Sequence, residues 1–356
     1  MSEAIVVGAG VFGLATAREL AGRGWSVRLV DRVPPGTAGP SAARLRILRC
    51  AHGPDEWYAA SAWRARSGWL ALAAECGREL FEECGVLLLA DPSEADPFEV
   101  DPAEAAPAGW LRASLLVLRR LGIPVQRLAA AEVAERFPGL DAHGAGFALY
   151  EPAAGVLRAR EAMLALWDSA SSRGVRLIQA TGRPDGAGVL LDGSRIEADL
   201  VVWAAGCALP ELFPGLTSIT EVPEGMVEFA PPAQADSAPN LPAWVDRGSD
   251  LYGLPALDGL GERLGPVNEL ADPRWRADLR RRRPELADQP VPGIDPCAFA
   301  AMPDRHFLLA PHPEHPRSWL VGGDSGHGFK HGIEWGRYVS DVLEGRQQPL
   351  PRFRLR

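Results

Sequence analysis

The stretch that decides the fold lies near the N-terminus, where residues 4–13 read AIVVGAGVFG. Residues 4–7 form a short apolar run, which is typical of a buried parallel strand. Gly8, Gly10 and Gly13 follow in the spacing GxGxxG. The first glycine of such a motif allows a tight turn, the second lets a pyrophosphate approach the backbone, and the third lets helix and strand pack closely. The stretch therefore predicts a strand, a turn and a helix that bind a dinucleotide.

The residues that follow extend this pattern into a βαβ unit. Residues 14–23 have the apolar spacing of a helix, and an apolar strand at residues 26–30 ends in Asp31. Phosphates bind well at a helix N-terminus, where free N–H groups and the helix dipole favour negative charge. An acidic residue after the second strand can accept hydrogen bonds from the ribose hydroxyls. The residues predicted to hold the dinucleotide are Gly8, Gly10, Val11, Phe12, Gly13, Asp31 and Arg32.

This fingerprint alone does not decide between FAD and NAD. A second apolar strand pattern, at residues 200–203, runs into Ala204, Ala205 and Gly206 near the middle of the chain. It suits a late strand of the same sheet that meets the cofactor at Gly206. An ordinary strand and turn of an α/β protein has the same pattern, so this segment alone does not assign the cofactor.

Composition limits the classes of protein to which the chain can belong. A chain of 356 residues with 47% hydrophobic and 23% charged residues is expected to form two globular domains. A net charge of −9 argues against nucleic acid or an anionic membrane as a partner, and the run of four arginines at 280–283 is predicted to be a solvated helix end. Five scattered cysteines and the lack of a signal-peptide pattern predict a cytoplasmic protein without a disulfide framework. The sequence leaves the oligomeric state open, with a monomer favoured. Residues 91–108 are predicted to be a surface excursion.

Residues 324–332, DSGHGFKHG, contain Lys330, the only lysine in the sequence. Coding bias towards arginine could leave one lysine anywhere by chance. Lysine and arginine are not interchangeable, however, where a tight site needs a compact ammonium. The surrounding glycines also indicate a backbone that approaches another group closely. Both interpretations of Lys330 remain open on this local evidence.

The chain resembles the sarcosine oxidase and N-methyltryptophan oxidase branch of the D-amino-acid-oxidase-like flavoproteins, and the similarity runs nearly from end to end. The matching segments are the fingerprint at 8–31, RILR at 46–49 with AHG at 51–53, EP at 151–152 with GVL at 155–157, YGLP at 252–255, Cys297 with PDRHF at 303–307, HPEH at 312–315, and SGHGFK at 325–330. The last of these motifs is the most specific.

The resemblance implies FAD as the cofactor and places the SGHGFK loop beside the flavin ring. Lys330 and Arg49 would clamp the carboxylate of the substrate, Arg46 would lie near the flavin, and Cys297 would be joined to the flavin covalently. Judged without the resemblance, Arg46 and Arg49 have the spacing of exposed arginines on a helix, and Cys297 would be an inert buried thiol. The other residues that the resemblance places at the cofactor or in the pocket are Tyr252, Gly326, His327, Gly328 and Phe329.

The chain also departs from the family pattern. Arg263 stands where the family has a lysine that activates oxygen, and Val267 and Phe299 replace a histidine and a tyrosine. Arginine keeps the positive charge but is bulkier and more weakly hydrated than lysine, so fast reaction with O₂ is less expected, although Arg263 stays among the predicted catalytic residues. The loss of polar groups favours a larger or cyclic amine over sarcosine as substrate.

The sequence therefore predicts an α/β fold with two domains. The first is a discontinuous, Rossmann-type FAD-binding domain of residues 1–86, 146–214 and 297–356. The second, residues 87–145 and 215–296, is expected to be built on a mixed or antiparallel sheet that roofs the flavin.

The predicted reaction is oxidation of a C–N bond α to a carboxylate, with hydride transfer to flavin N5, an imine product, and O₂ as the default acceptor, giving H₂O₂. Two alternatives stay open, namely a dehydrogenase that uses another acceptor and a protein that binds FAD without turnover. No metal is expected, because turn residues interrupt the pairs His312/His315 and His327/His331.

Overall fold

A computed structural model describes residues 2–91, 93–94, 109–231 and 240–355 of the chain. The predicted surface excursion at 91–108 lies almost entirely outside these residues. The strands are β1 Glu3–Val7, β2 Ser26–Asp31, β3 Leu45–Leu48, β4 Phe81–Glu82, β5 Val86–Leu89, β6 Gln126–Leu128, β7 Ala148–Glu151, β8 Gly155–Arg158, β9 Arg176–Gln179, β10 Gly182–Asp185, β11 Gly188–Leu191, β12 Ser194–Ile196, β13 Leu200–Trp203, β14 Thr220–Glu228, β15 Ala243–Asp246, β16 Tyr252–Leu254, β17 Arg263–Gly265, β18 Ile294–Ala301, β19 Leu308–Pro311 and β20 Ser318–Gly322. The helices are α1 Val11–Gly22, α2 Glu56–Cys76, α3 Trp110–Arg120, α4 Ala130–Arg136, α5 Ala159–Ser172, α6 Leu209–Leu212, α7 Pro273–Arg282, α8 Pro284–Ala287 and α9 Gly332–Leu343.

The N-terminal fingerprint forms the centre of a six-stranded sheet, whose order is β19-β20-β13-β1-β2-β9. Strand β1 pairs in parallel with β2 and with β13, and only the β19–β20 pairing in this sheet is antiparallel. Residues Ala4–Val6 are fully buried, as expected for a parallel strand that is covered on both faces. The strand at residues 200–203 is thus a neighbour of the fingerprint strand, as the sequence predicted.

Helix α1, which follows the glycine turn, packs against α9 near the C-terminus of the chain. A Cβ atom added to Gly336 would lie 2.6 Å from the carbonyl carbon of Ala15, and one added to Gly332 would lie 2.2 Å from Cγ2 of Val11. Both distances are far below a normal contact, so only glycine lets the two helices approach this closely. Trp69 and Trp335, both fully buried, belong to the apolar core around these helices.

A second, eight-stranded sheet lies beside the first, with the order β18-β14-β17-β16-β15-β5-β7-β6. Its pairings are antiparallel except for the parallel pair β15–β5. The longest pairing joins β14 to β18 and sets Glu224 opposite Cys297. The predicted α/β class, with a Rossmann-type sheet and a second mixed sheet, is confirmed. Strands β7 and β18 belong to the eight-stranded sheet although residues 148–151 and 297–301 were assigned to the FAD-binding domain, and the exact domain boundaries stay a prediction.

The arginine run at 280–283 is a helix end, but only half of it is solvated. Arg280 and Arg281 are exposed, whereas the side chain of Arg282 is 4% exposed and its Nε donates to Asp246 at 2.8 Å. Arg283 is also buried and pairs with Glu262 at 2.8 Å. The prediction of a solvated end was wrong for these two residues because the carboxylates of Asp246, in strand β15, and Glu262, just before β17, compensate their buried charge. Within the described residues, no helix is long and apolar enough to cross a membrane.

Candidate active site

A cavity of about 760 Å³ connects the glycine turn to the segments of the eight-stranded sheet. Its lining combines residues from 8–12 and 31–49 with residues from 204–208, 222–226, 245–254, 266–268, 297–305 and 321–330. The volume lies in the range usual for cofactor and ligand sites. The predicted site residues that line it are Gly8, Gly10, Val11, Phe12, Asp31, Arg32, Arg46, Arg49, Gly206, Tyr252, Cys297, Gly326, His327, Phe329 and Lys330.

The nucleotide end of the cavity is made largely of backbone. Gly8 has a φ of +108°, and a Cβ atom there would lie 2.3 Å from the carbonyl oxygen of Ala204. A Cβ atom at Gly10 would instead meet no protein atom closer than Oγ of Ser41, at 3.4 Å, because it would enter the cavity. Carboxylate oxygen Oδ2 of Asp31 accepts a hydrogen bond from the amide of Ala9 at 2.6 Å, which fixes the shape of the turn.

Ser41 is a residue of this end that the sequence did not reveal. Its hydroxyl accepts a hydrogen bond of 3.1 Å from the amide of Val11, the first residue of α1. That amide is one of the N–H groups that have no partner within the helix, and phosphates bind to such groups at a helix N-terminus. The GPSA stretch at 39–42 offers no signal strong enough to identify the serine in advance.

Two predicted cofactor residues do not line the cavity but shape it from behind. A Cβ atom at Gly13 would lie 1.9 Å from the carbonyl oxygen of Gly8, so this glycine lets α1 pack on the turn, as predicted. A Cβ atom at Gly328 would lie 2.6 Å from Cβ of Asp324 and 2.8 Å from Cζ of Phe12. Gly328 therefore holds the SGHGFK loop against the fingerprint helix.

Cys297 and Arg46 meet in the middle of the cavity. Nη2 of Arg46 lies 3.4 Å from Sγ of Cys297, although 251 positions separate them in sequence. Arg46 lies on strand β3, so the interpretation as an exposed helix arginine was wrong for it. Nearby, the amide of Ala300 donates to Asp324 at 3.0 Å, and burial raises the pKa of Asp324 to about 6.

Lys330 and Arg49 lie together at the reaction end of the cavity. The side chain of Lys330 is buried, and its Nζ donates to the carbonyl oxygen of His327 at 3.0 Å. Arg49 donates to the carbonyl oxygen of Ala51. Burial, reinforced by the charge of Arg49, lowers the pKa of Lys330 well below its ordinary value. Two cations that are close together and away from water are poorly solvated, so this end favours an anionic ligand.

One buried carboxylate stands behind these two cations. Glu151 is 2% exposed and accepts hydrogen bonds from the amides of Cys50, at 2.6 Å, and of Ala51, at 2.9 Å. Burial raises the pKa of Glu151, while these hydrogen bonds and the charges of Arg49 and Lys330 oppose the rise. Glu151 belongs to the quoted EP motif, but its place behind the cations was not predicted.

Three histidines pack beside Lys330, and only one of them was predicted to be near the cofactor. One ring nitrogen from each of His52, His327 and His331 lies within 4.8 Å of the others. Nε2 of His327 lies 3.0 Å from the carbonyl oxygen of Arg305. Burial, followed by the charge of Lys330, lowers the pKa of all three imidazoles, that of His327 to about 3. Neutral imidazoles therefore surround the ammonium of Lys330.

Tyr252 and Glu224 form a polar pair on the wall from the eight-stranded sheet. The Tyr252 hydroxyl donates to Oε1 of Glu224 at 3.2 Å, and both residues line the cavity. Burial raises the pKa of Tyr252, and the charge of Glu224 raises it further. Tyr252 is therefore present as a neutral hydrogen-bond donor.

Arg263 is not among the residues that line the cavity. Its side chain is 2% exposed, is paired with Asp295, and has Nε 3.5 Å from Oε2 of Glu228. These two carboxylates already compensate its charge. The structure thus separates Arg263 from the other predicted catalytic residues.

A cation–π arrangement at the reaction end was also missed. The Cζ atoms of Arg49 and Arg247 lie 5.3 Å and 4.7 Å from the ring centroid of Trp110. Arg247 lines the cavity directly after strand β15. Its sequence neighbourhood contains no motif, so only the tertiary structure identifies it.

Two observations indicate that the residues around the cavity can hold FAD. The cavity has free space where a Cβ atom of Gly10 would project, next to the amides that begin α1. It then continues past Cys297 to the SGHGFK loop, so a long cofactor that starts at the glycine turn would reach both.

Comparison with known proteins agrees with this geometry. The family model described as FAD dependent oxidoreductase matches residues 3–342. An N-methyl-L-tryptophan oxidase of Yersinia pestis is 25% identical over 97% of this chain and 96% of its own length. The solved structure of L-proline dehydrogenase from P. horikoshii has a TM-score of 0.82, with 21% identity over 98% of this chain and 95% of that one. A modified fructosyl peptide oxidase from Aspergillus nidulans has a TM-score of 0.83, with 20% identity over 99% and 93%.

The family match covers most of the chain, including the glycine turn, Cys297 and the SGHGFK loop. The protein therefore belongs to the FAD dependent oxidoreductase family and is an enzyme of that family.

Proposed function

We propose that the enzyme oxidises the C–N bond of a secondary or cyclic amino acid, in which the amine is α to a carboxylate. The observation that carries this proposal is the placement of the buried Lys330 and the partly buried Arg49 at the same end of the cavity wall. The similarity to an N-methyl-L-tryptophan oxidase supports it. Two fixed cations in a site with little water bind and orient a carboxylate strongly.

The chain's own groups would divide the work between binding and positioning. Lys330 and Arg49 hold the carboxylate, and the charge of Glu151 behind them offsets part of their mutual repulsion. The hydroxyl of Tyr252 and the carboxylate of Glu224 offer a donor and an acceptor to the amine side of the substrate. The neutral imidazoles of His52, His327 and His331 leave the ammonium of Lys330 as the charge that the substrate meets.

The nucleotide end would hold FAD through the glycine turn, Asp31 and the N-terminus of α1. Cys297 would be its covalent attachment point, with Arg46 holding the sulfur at 3.4 Å. The chemistry that bound FAD supplies is the acceptance of two electrons from the C–N bond, which turns the amine into an imine.

Anaerobic titration of the holoenzyme with a panel of amines tests the proposal. Secondary and cyclic α-amino acids are expected to bleach the flavin absorbance, and the matching amines without a carboxylate are not. A flavin that no amine in the panel bleaches would instead identify a protein that binds FAD without turnover. If amines with and without a carboxylate bleach the flavin equally, the carboxylate has no role in substrate recognition.

A dehydrogenase reaction is a second candidate, and the position of Arg263 favours it. The guanidinium that replaces the family lysine is paired with Asp295 and Glu228 and does not line the cavity. If O₂ is a poor acceptor, the enzyme reduced by its amine should reduce an artificial dye much faster than it consumes O₂. Arg263→Lys would then raise the rate of O₂ consumption relative to that of dye reduction. Rapid O₂ consumption by the wild type would exclude this candidate.

A further inference from the structure

Arg247 is a cation at the cavity that the proposed reaction does not use. It lines the cavity at the end that contains Arg49, and its guanidinium lies against the same indole ring of Trp110. Its Nε is buried and has no hydrogen-bond partner in the part of the chain that the structure describes. Among the described residues, its Nη1 pairs with Oδ1 of Asp250, 3.5 Å away, on a side chain that is 78% exposed. An exposed carboxylate at that distance compensates little charge.

The charges along the cavity do not balance at this end. Among the described residues, the acids that line the cavity are Asp31, Glu224, Asp250 and Asp324. Asp31 is bound to the glycine turn, while Glu224 and Asp324 lie near Tyr252 and Arg46.

In the part of the chain that the structure describes, this leaves Glu151, behind the wall, and Asp250 and Asp91, both in contact with solvent, to compensate Arg49, Lys330 and Arg247. One substrate carboxylate would satisfy Arg49 and Lys330. Among the described residues, the guanidinium of Arg247 would still face only acids that water reaches.

The two guanidiniums are close enough for one small molecule to reach both. Because the Cζ atoms lie 5.3 Å and 4.7 Å from the same ring centroid, they are at most about 10 Å apart. Trp110 holds both groups in place without offering either of them a negative charge. Burial and, more weakly, the charge of Arg247 lower the pKa of Arg49 to about 10, while Glu151 opposes the shift. The two cations therefore repel each other in the absence of a ligand.

We propose that Arg247 binds a second acidic group of the substrate, so that the substrate class is an N-alkylated or cyclic α-amino acid with a carboxylate on its side chain. This inference rests on the proposed function for the α-carboxylate and the amine. A guanidinium binds a carboxylate through two parallel hydrogen bonds. The terminal nitrogens of Arg247 would donate them, because its Nε is buried and not exposed to the cavity. The side-chain acid would lie within a few bonds of the α-carbon, because Arg49 and Arg247 share one aromatic ring.

A binding experiment that involves no turnover tests the subsite first. Glutarate and its monoamide, glutaramate, have nearly the same shape and differ in one negative charge. Each is titrated into the oxidised holoenzyme, and the change in flavin absorbance gives its Kd. Because the side chain of Arg247 is 33% exposed, glutarate is expected to bind about fivefold more tightly, the upper end for a charge pair that water still reaches. Arg247→Gln should remove most of this ratio.

The turnover experiment uses the matched pair N-methylglutamate and N-methylglutamine in anaerobic bleaching. The wild type should prefer the diacid, and Arg247→Gln should reduce that preference by roughly the same factor as in binding. Arg305→Gln is the matched control, because Arg305 also lines the cavity but lies over Phe299, with Cζ 5.6 Å from the ring centroid. It should leave the ratio of diacid to amide as it is in the wild type.

The outcomes separate this inference from the function on which it rests. Equal binding of glutarate and glutaramate, or an Arg247→Gln variant that weakens both equally, overturns the second-acid site. If amines bleach the flavin while the diacid is not preferred, amine oxidation stands and the inference fails. If glutarate binds through Arg247 while no amine bleaches the flavin, the anion subsite stands and amine oxidation fails.

Discussion

The two ends of the cavity are built on different principles. The nucleotide end comes mostly from one continuous stretch, residues 4–33, and its contacts are made by backbone atoms next to glycines. The reaction end is assembled from side chains of four separate segments, namely Arg49, Trp110, Arg247 and Lys330. A backbone-made site tolerates no added side chain, whereas a site made of side chains can change its ligand through single substitutions. Substitutions at each end should therefore fail in different ways.

The largest expected effect is at the nucleotide end. Gly10→Val would project a side chain into the space that the pyrophosphate needs, so the purified variant should contain no FAD. Flavin absorbance per mole of protein measures this. The matched control is Gly293→Val, because a Cβ atom at Gly293 meets no atom within 4 Å. A folded, fully flavinylated Gly10→Val protein would show that the cofactor lies elsewhere.

The next effect concerns Cys297, which lies between the two ends. If its sulfur is bonded to the flavin, acid precipitation of the wild type should leave the yellow colour in the pellet. Cys297→Ser should release all of its flavin into the supernatant. The control is Cys207→Ser, since Cys207 also lines the cavity and should not alter the retention of flavin. Complete release from the wild type would refute the covalent link.

At the reaction end, Lys330→Met should impair substrate binding without removing the flavin. Loss of one partner of a desolvated charge pair costs about 2–5 kcal/mol, which corresponds to a rise in KM of roughly thirty- to several-thousand-fold. Steady-state kinetics and flavin content measure the two quantities separately. If the variant loses its flavin together with its activity, Lys330 contributes to cofactor binding and not to substrate binding alone.

Lys330→Arg sharpens the same prediction. The ammonium is buried and already bonded to the carbonyl oxygen of His327, so the larger guanidinium should not fit, and kcat/KM should fall nearly as far as in the methionine variant. Unchanged kinetics with arginine would mean that charge alone suffices. The lysine would then be a remnant of coding bias.

The smallest effect is a dependence on pH. Burial lowers the pKa of Lys330 in the free enzyme, and a bound carboxylate would raise it again. Binding of a simple carboxylate such as acetate should therefore be strongest below the free-enzyme pKa of Lys330 and weaken as the pH rises through it, by roughly tenfold per unit. Flavin-monitored Kd values across pH measure this. Lys330→Met should lose this slope, and a slope that persists would assign it to Arg49, whose pKa is lowered to about 10.

The sequence predicted the strand, the turn and the helix of the nucleotide end because that information is local, while the cofactor contacts of these residues stay a prediction. Glycine spacing, a strand and an acid occur within residues 4–31, and the structure arranges them as expected. The reaction end was predicted only where a resemblance supplied the residues, as for Arg49 and Lys330. Trp110 and Arg247 carry no motif, and Arg263 was misplaced because an alignment does not show that Glu228 and Asp295 compensate its charge.

The buried half of the arginine run teaches the same lesson for the fold. Four consecutive arginines are expected to be solvated, but the side chains of Arg282 and Arg283 are buried. Arg282 donates a hydrogen bond to Asp246, and Arg283 donates one to Glu262. A run of charged residues is exposed at the surface only when no buried carboxylate lies close enough to pair with it. Local patterns therefore identify elements, while partners that are distant in sequence decide which charges are buried.

The contact between α1 and α9 has a consequence for how the enzyme is made. The glycines that fit against Val11 and Ala15 lie in residues 332–336, roughly 300 residues after the fingerprint helix in the order of synthesis. A nascent chain has a glycine turn without its supporting helix until α9 has been made. We expect that FAD is acquired only after α9 has left the ribosome, and that deletion of α9 leaves the protein colourless.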